Sequence, residues 1–245
     1  MLAVRGLVKS FGAKRVLDGV DLDVRAGEIV GLLGANGAGK STTNRLICGL
    51  LVPEAGTVEI AGQDLARAPE AALAQLGYMP EAPALYPELT VAETLRLVGD
   101  LRGLEGVGEW AAKMLALFDL EHAVDQPVSA LSMGMRRKLT LAWALAGDPG
   151  LLVLDEPTNG FDPPAVALFK QIVVELRRRG RAVLVSSHIL ALLEPLCDRV
   201  AILEGGRLCA AGTIEELRVQ AGLPGADLEA LYLALTGRTS MALDF

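Results

Sequence analysis

The segment Gly34-Ala35-Asn36-Gly37-Ala38-Gly39-Lys40-Ser41 constrains this chain more than any other. It is a G-x-x-x-x-G-K-S loop between the apolar run Ile29 to Leu33 and the helix-compatible stretch Ser41 to Leu50. A buried strand, a glycine loop and a helix in that order form a phosphate cradle. The glycines let backbone N–H groups curl around phosphate oxygens with no Cβ in the way, and the helix N-terminus adds the positive end of its dipole. The spacing assigns Gly34, Asn36, Gly37, Ala38, Gly39, Lys40, Ser41 and Thr42 to the phosphates of a nucleotide. Lys40 reaches the β- and γ-phosphates and Ser41 holds Mg²⁺. The competing reading is a plain glycine-rich turn, and the flanking strand and helix weigh against it.

A phosphate loop alone leaves GTPases, kinases and ATPases open. The run Leu151-Leu152-Val153-Leu154 delivers two carboxylates, Asp155 and Glu156, to the end of a second buried strand. Ligands of open α/β sheets sit at such C-terminal strand ends. Asp155 there serves the Mg²⁺ shell, and Glu156 polarises water for attack on the γ-phosphate. No Asn-Lys-x-Asp sequence occurs, which disfavours GTP.

The rest of the chain fits an α/β fold. Residues 1–30 alternate apolar and polar, most clearly in Val20-Asp21-Leu22-Asp23-Val24, and predict an antiparallel layer. Apolar runs at Leu151 to Leu154 and Ala182 to Val185, each followed by a polar turn and a helical pattern, predict a mainly parallel sheet covered on both faces. Between about Ala82 and Ala146 the stretches Val91 to Leu101, Glu109 to Leu120 and Met135 to Leu145 have helical spacing, which predicts an inserted helical subdomain. Val200 to Leu203 and Arg207 to Ala211 read as a hairpin around Glu204-Gly205-Gly206. Thr213-Ile214-Glu215-Glu216 reads as a capping box, and residues 221–245 as helical with a ragged end.

Composition narrows the function. The 245 residues are 51% hydrophobic and carry a net charge of −7, so a core is assured and nucleic acid is not an expected partner. No apolar run is long enough to span a membrane. Arg5, Lys9 and Lys14 interrupt the place where a signal peptide needs an apolar region, so a cytoplasmic location is expected. Cys48, Cys197 and Cys209, with only His122 and His188, suggest neither a disulfide framework nor structural zinc.

One further segment, Leu131-Ser132-Met133-Gly134-Met135, looks like the LSGGQ signature, and with it the chain resembles the ATP-binding subunits of ABC (ATP-binding cassette) transporters from about Leu2 to at least Ala211. The resemblance implies a P-loop NTPase core with a mainly parallel sheet, an N-terminal antiparallel β layer and an inserted α-helical subdomain. Residues 1–81 and 147–245 would form the ATPase core, and 82–146 the helical subdomain that carries the signature. It also implies that ATP and Mg²⁺ bind, with Phe11 and Val16 beside the adenine. Phe11 as an ordinary core aromatic is the alternative. Glu81, in Gly77-Tyr78-Met79-Pro80-Glu81, stands where the family usually has Gln; as Glu it keeps an oxygen ligand for the metal and adds charge. His188 matches the switch histidine, catalytic beside Glu156. Ser132, Gly134 and Asp162, the last in the D-loop-like Asn159-Gly160-Phe161-Asp162, would act in trans on ATP held by a second copy or a paralogous cassette. Met133 and Met135 depart from the signature.

The implied function is ATP hydrolysis that powers translocation through a separate integral membrane subunit, with the chain peripheral on the inner face of the membrane. YxPE and the basic helix start Arg136-Arg137-Lys138 are similar to subunits of ABC-2-type exporters. Ala82 to Pro87, with Leu85 and Tyr86, is a candidate wall of the groove for that partner, or else a packing linker. Two rivals remain: a soluble ABC ATPase acting on ribosomes or nucleic acid, and a small-molecule kinase with no need of Ser132. Arg177-Arg178-Arg179-Gly180-Arg181 reads as a helix end favoured by the macrodipole, and Trp110 and Trp143 as packing residues.

Overall fold

A computed structural model of the chain describes residues 1–238; the expected ragged end over 239–245 lies outside the described residues. The N-terminal layer contains β1 (Leu2–Phe11), β2 (Lys14–Val24), β4 (Ala55–Ile60) and β5 (Gln63–Asp64), antiparallel in the order β2-β1-β4-β5. The second sheet contains β3 (Ile29–Leu33), β6 (Leu76–Met79), β7 (Leu151–Asp155), β8 (Ala182–Ser186), β9 (Arg199–Glu204) and β10 (Arg207–Gly212). Its order is β10-β9-β3-β8-β7-β6, parallel except for β10. β9 and β10 form the expected hairpin. Gly205 and Gly206 both have positive φ, at 56° and 80°, as a tight two-residue turn requires.

Sheet burial explains why the central strands are apolar throughout. Leu152, Leu154, Val183 and Val185 face one core with the helices, whereas Leu151, Val153, Ala182 and Leu184 face another with the antiparallel layer. Period two is present in the packing, and both faces are covered.

The helices are α1 (Lys40–Ile47), α2 (Pro69–Ala74), α3 (Val91–Leu101), α4 (Val107–Phe118), α5 (Met133–Ala144), α6 (Pro163–Arg178), α7 (Leu190–Leu193), α8 (Ile214–Ala221) and α9 (Leu228–Thr236). Between β6 and β7 the chain carries α3, α4 and α5 and no named strand. Complete capping boxes open α3 at Thr90 and α8 at Thr213. At the end of α6, Gly180 adopts φ 78° and the arginines find carboxylates: Arg177 on Asp198, Arg178 on Glu175, and Arg179 and Arg181 on Asp148. The basic run is thus a capped helix end.

Strand β6 has no counterpart in the sequence reading. It has four residues, one of them Gly77, and it exists because β7 offers it an edge. A Cβ on Gly77 would overlap the Ala144 carbonyl oxygen at the end of α5 and lie 2.9 Å from Leu152 Cδ1. Glycine there lets the helix rest directly on the strand.

Candidate nucleotide site

Four neighbouring parallel strands, β3, β8, β7 and β6, send their C-terminal ends to one edge of the sheet. Past those ends come the phosphate loop, Ser187-His188, Glu156 and Pro80-Glu81. A cavity of about 440 Å³ there is lined by Phe11, Val16, Asn36, Gly37, Gly39, Lys40, Ser41, Thr42, Glu81, Glu156 and His188, together with Lys14 and Ala35. Sequence-distant residues chosen for one nucleotide therefore meet around one space. Gly34 and Ala38 stand in the same loop, and Ala38 lines an adjoining recess.

Helix α1 starts at Lys40, behind Gly39 at φ 114°, a conformation that side-chain-bearing residues avoid. Lys40 is buried, and its Nζ donates to the Gly34 carbonyl oxygen at 2.8 Å. The same ammonium lies 3.7 Å from Glu156 Oε1. Glu156 is buried too, at φ 45°, an unusual backbone region for a residue other than glycine. Its Oε2 stands 2.9 Å from His188 Nδ1 and accepts from the Ser187 hydroxyl at 3.2 Å. One carboxylate is thus held between a cation and an imidazole.

Asp155 sits deeper and does not line the cavity; it is 1% exposed. Ser186 Oγ donates to Asp155 Oδ1 at 2.6 Å and accepts from Asn44 Nδ2 at 2.8 Å, so a buried polar relay joins α1, β8 and β7. Its charge also reaches Cys48 and Tyr78, whose acid groups are pushed upward chiefly by burial and then by that carboxylate. Phe11, half exposed at the end of β1, is not a core aromatic. Its ring centroid lies 5.6 Å from Lys9 Nζ.

Ser132, Gly134 and Asp162 occupy a different cleft, shared with Met135, Lys138 and Phe161, and none of these lines the phosphate cavity. Ser132 caps α5 by accepting from the Met135 N–H at 3.2 Å, and Asp162 caps α6 by accepting from the Ala165 N–H at 2.9 Å. Met133, one of the departures from the signature, is half exposed.

Sequence reading missed Asn44, Ser186 and Ser187, although two serines before His188 at a strand end are a visible cue. It also took Arg137 as part of a basic helix start. Arg136, Arg137 and Lys138 do lie near the start of α5, but Arg137 is 1% exposed. Its guanidinium donates to the Pro80 carbonyl at 3.0 Å and to the carbonyls of Glu81 and Glu156. Burial pulls its pKa down, against the opposing pull of Glu81, Asp155 and Glu156. Helical spacing was the available signal, since Arg137, Thr140, Leu141 and Ala144 form one buried stripe.

A largely apolar cavity of about 780 Å³ lies between α4 and α6, lined by residues such as Trp110, Met114, Leu117 and Ile172, and the 82–87 segment is not part of it. Leu85 packs on the core while Tyr86 is 57% exposed.

A mixed sheet with a phosphate loop after its central strand and a Glu-His pair at adjacent strand ends defines a P-loop ATPase. Comparison with known proteins adds the family. The ABC transporter family model matches residues 17–159. The ABC-type transporter ATP-binding protein EcsA of Bacillus subtilis is 39% identical over 238 residues, 96% of this chain and 96% of that protein. The Nod factor export ATP-binding protein I of Ralstonia nicotianae is 39% identical over 219 residues, 89% of this chain and 68% of that protein. A solved ATP-binding subunit of an ABC transporter superposes with TM-score 0.91 at 40% identity, over 96% of this chain and 99% of that one. The chain belongs to the ABC transporter family, as an ATP-binding and ATP-hydrolysing subunit.

Proposed function

We propose that the chain works as one half of a pair of cassettes, completed by a second copy or a paralogue, and that the pair drives a substrate through a separate membrane-spanning subunit. The supporting observation is the separation of two clefts. The phosphate cavity contains Lys40 and Glu156, while Ser132, Gly134 and Asp162 line another cleft on the same chain. If both sets act on one nucleotide, they come from two chains, joined head to tail. Within each chain, 1–81 and 147–245 act as the ATPase core and 82–146 as the helical subdomain.

In this reading Phe11 and Val16 receive the adenine, and the loop Gly34 to Gly39 with Lys40, Ser41 and Thr42 receives the phosphates. Ser41, Glu81 and Asp155 offer hard oxygen donors. Such donors suit Mg²⁺, which would share its shell with phosphates and water. When bound, the ion neutralises charge on the β- and γ-phosphates. Glu156 takes the proton of the attacking water, held in place by His188 and Ser187. Loss of the γ-phosphate removes the bridge between the two chains, and the pair opens.

Among the described residues no helix is long and apolar enough to cross a membrane, so translocation falls to the partner. We place the chain in the cytoplasm, at the inner face of the membrane. A relative named for Nod factor export supports an exporter of the ABC-2 type.

The test is a tagged Glu156→Gln chain, purified from its source cell's solubilised membranes with ATP and Mg²⁺. An ATP-dependent dimer that brings a polytopic membrane protein is expected. A monomer at saturating ATP would refute the pairing. Ribosomes or nucleic acid in place of the membrane protein would establish a soluble ABC ATPase instead.

A further inference from the structure

Helix α5, capped by Ser132 in one cleft, carries Arg137, whose guanidinium bonds the backbone of Glu81 and Glu156, two residues that line the other. Guanidinium donors are rarely buried without a carboxylate partner. Here the bonds of Arg137 go to three backbone carbonyls, those of Pro80 and Glu81 after β6 and of Glu156 after β7, while Nε is buried without a partner. All of its hydrogen bonds thus go to backbone, at the junction of the two loops that carry Glu81 and Glu156.

A second arginine provides a contrast. Arg102, just after α3, donates to the Leu73 and Leu76 carbonyls at 3.3 and 2.6 Å, near the N-terminal end of β6. Both arginines fasten helical-region residues to the β6 segment, but only Arg137 does so at the catalytic end and reaches the backbone of Glu156.

We propose that Arg137 is a positioning residue for hydrolysis, which fixes the Glu81 backbone to the Glu156 backbone and so sets the distance between the metal-side and water-side carboxylates. The proposal rests on the roles given above to those two residues. It makes α5 a rigid link, because a shift of Ser132 on meeting the partner's nucleotide moves Arg137, and with it both loops of its own site.

Four variants of the full chain test it: Arg137→Met, Arg137→Lys, Arg102→Met and Glu81→Ala. ATP affinity is read with a fluorescent ATP analogue, turnover by phosphate release, the Mg²⁺ midpoint by titration, and loop order by amide hydrogen exchange over residues 81–86 without nucleotide. Arg137→Met is expected to lower kcat roughly 10- to 100-fold, because small misplacements of reacting groups cost that much. ATP affinity should stay within about threefold, as for loss of an interaction that matters only in the transition state. Exchange at 81–86 should quicken and the Mg²⁺ midpoint rise. Arg137→Lys should recover part of kcat, since one ammonium replaces a fork of donors, and Arg102→Met should lower the melting temperature with no such fall in kcat.

Unchanged kcat or unchanged exchange in Arg137→Met overturns the proposal. Equal losses in Arg102→Met overturn it too, because they would show general support rather than positioning. Glu81→Ala separates the layers. If it leaves the Mg²⁺ midpoint in place, the metal role of Glu81 fails, while the kcat and exchange results for Arg137 still decide the positioning role.

Discussion

Glu156 and His188 face each other across the ends of neighbouring strands β7 and β8, with Nδ1 2.9 Å from Oε2. A carboxylate only accepts, so Nδ1 is the donor in this contact. The pair is then a base and its orienting group. Replacing His188 by Ala should reduce kcat about 100-fold, in the range of general acid–base contributions. ATP affinity should change little, because Lys40 and the loop backbone do the binding. Steady-state hydrolysis beside equilibrium binding checks this, and a proportional loss of both would place His188 in binding instead.

Gly77 carries a prediction about stability. A methyl group there collides with the Ala144 carbonyl at the end of α5 and with Leu152 of β7, both buried. Flexible side chains yield, but a helix carbonyl does not. Gly77→Ala should destabilise the chain by about 1–3 kcal/mol or more, the usual cost of overpacking. Urea unfolding measures it as a lower midpoint at unchanged slope.

How much of this was legible beforehand depends on what fixes each residue. Strands β3, β7 and β8 show in the sequence because burial on both faces demands apolar side chains at every position, and the phosphate loop shows because glycine, lysine and serine are each required by the ligand. Strand β6 does not show, since Gly77 answers to a helix distant in the chain and a four-residue edge has no periodicity of its own. Arg137 misleads for a related reason. Flanked by Arg136 and Lys138, it is one cation of a basic run, while its partners are carbonyls, which every residue has and no sequence displays. Nor does composition reveal the φ of 45° at Glu156.

Thiol reactivity should differ sharply among the three cysteines. Burial raises the Cys197 thiol from 9.0 to about 12 and pushes Cys48 up as well, while Cys209 is exposed and raised less. A raised pKa depletes the thiolate, which is the reactive form. At pH 8, four units below a pKa near 12, only about one Cys197 in 10⁴ is ionised. Iodoacetamide should therefore modify Cys209 first, at a rate that rises about tenfold per unit of pH while the pH stays below its pKa, and reach Cys48 and Cys197 only on unfolding. Mass spectrometry of the native protein reads the order directly, and early modification of Cys197 would contradict it.

Leu85 and Tyr86 are adjacent yet differ in surroundings, so their substitutions should separate. Leu85→Ser removes an apolar contact with the core and should cost about 1–2 kcal/mol for its partly buried side chain. Tyr86→Ser alters an exposed ring and should leave stability and basal hydrolysis unchanged. If this segment meets the membrane subunit, Tyr86→Ser alone should reduce co-purification of that subunit. Full co-purification with Tyr86→Ser would make 82–87 a packing linker.

Ser132→Arg distinguishes a paired ATPase from a kinase built on the same loop. Ser132 does not line the phosphate cavity, so ATP should bind the variant's own loop as before. In a pair, however, a bulky side chain enters the cleft that must close on the partner's nucleotide, and hydrolysis should fall at least tenfold, as when a transition-state contact is lost. Placed with Glu156→Gln, it should also abolish the ATP-dependent dimer. Arginine removes an N-cap as well, which costs about 0.5–2 kcal/mol, so Ser132→Asn serves as the control that keeps the cap. A kinase reading predicts phosphoryl transfer unaffected by either change. Loss with Arg, retention of fold with Asn and unchanged ATP affinity in both would assign Ser132 to the partner's site.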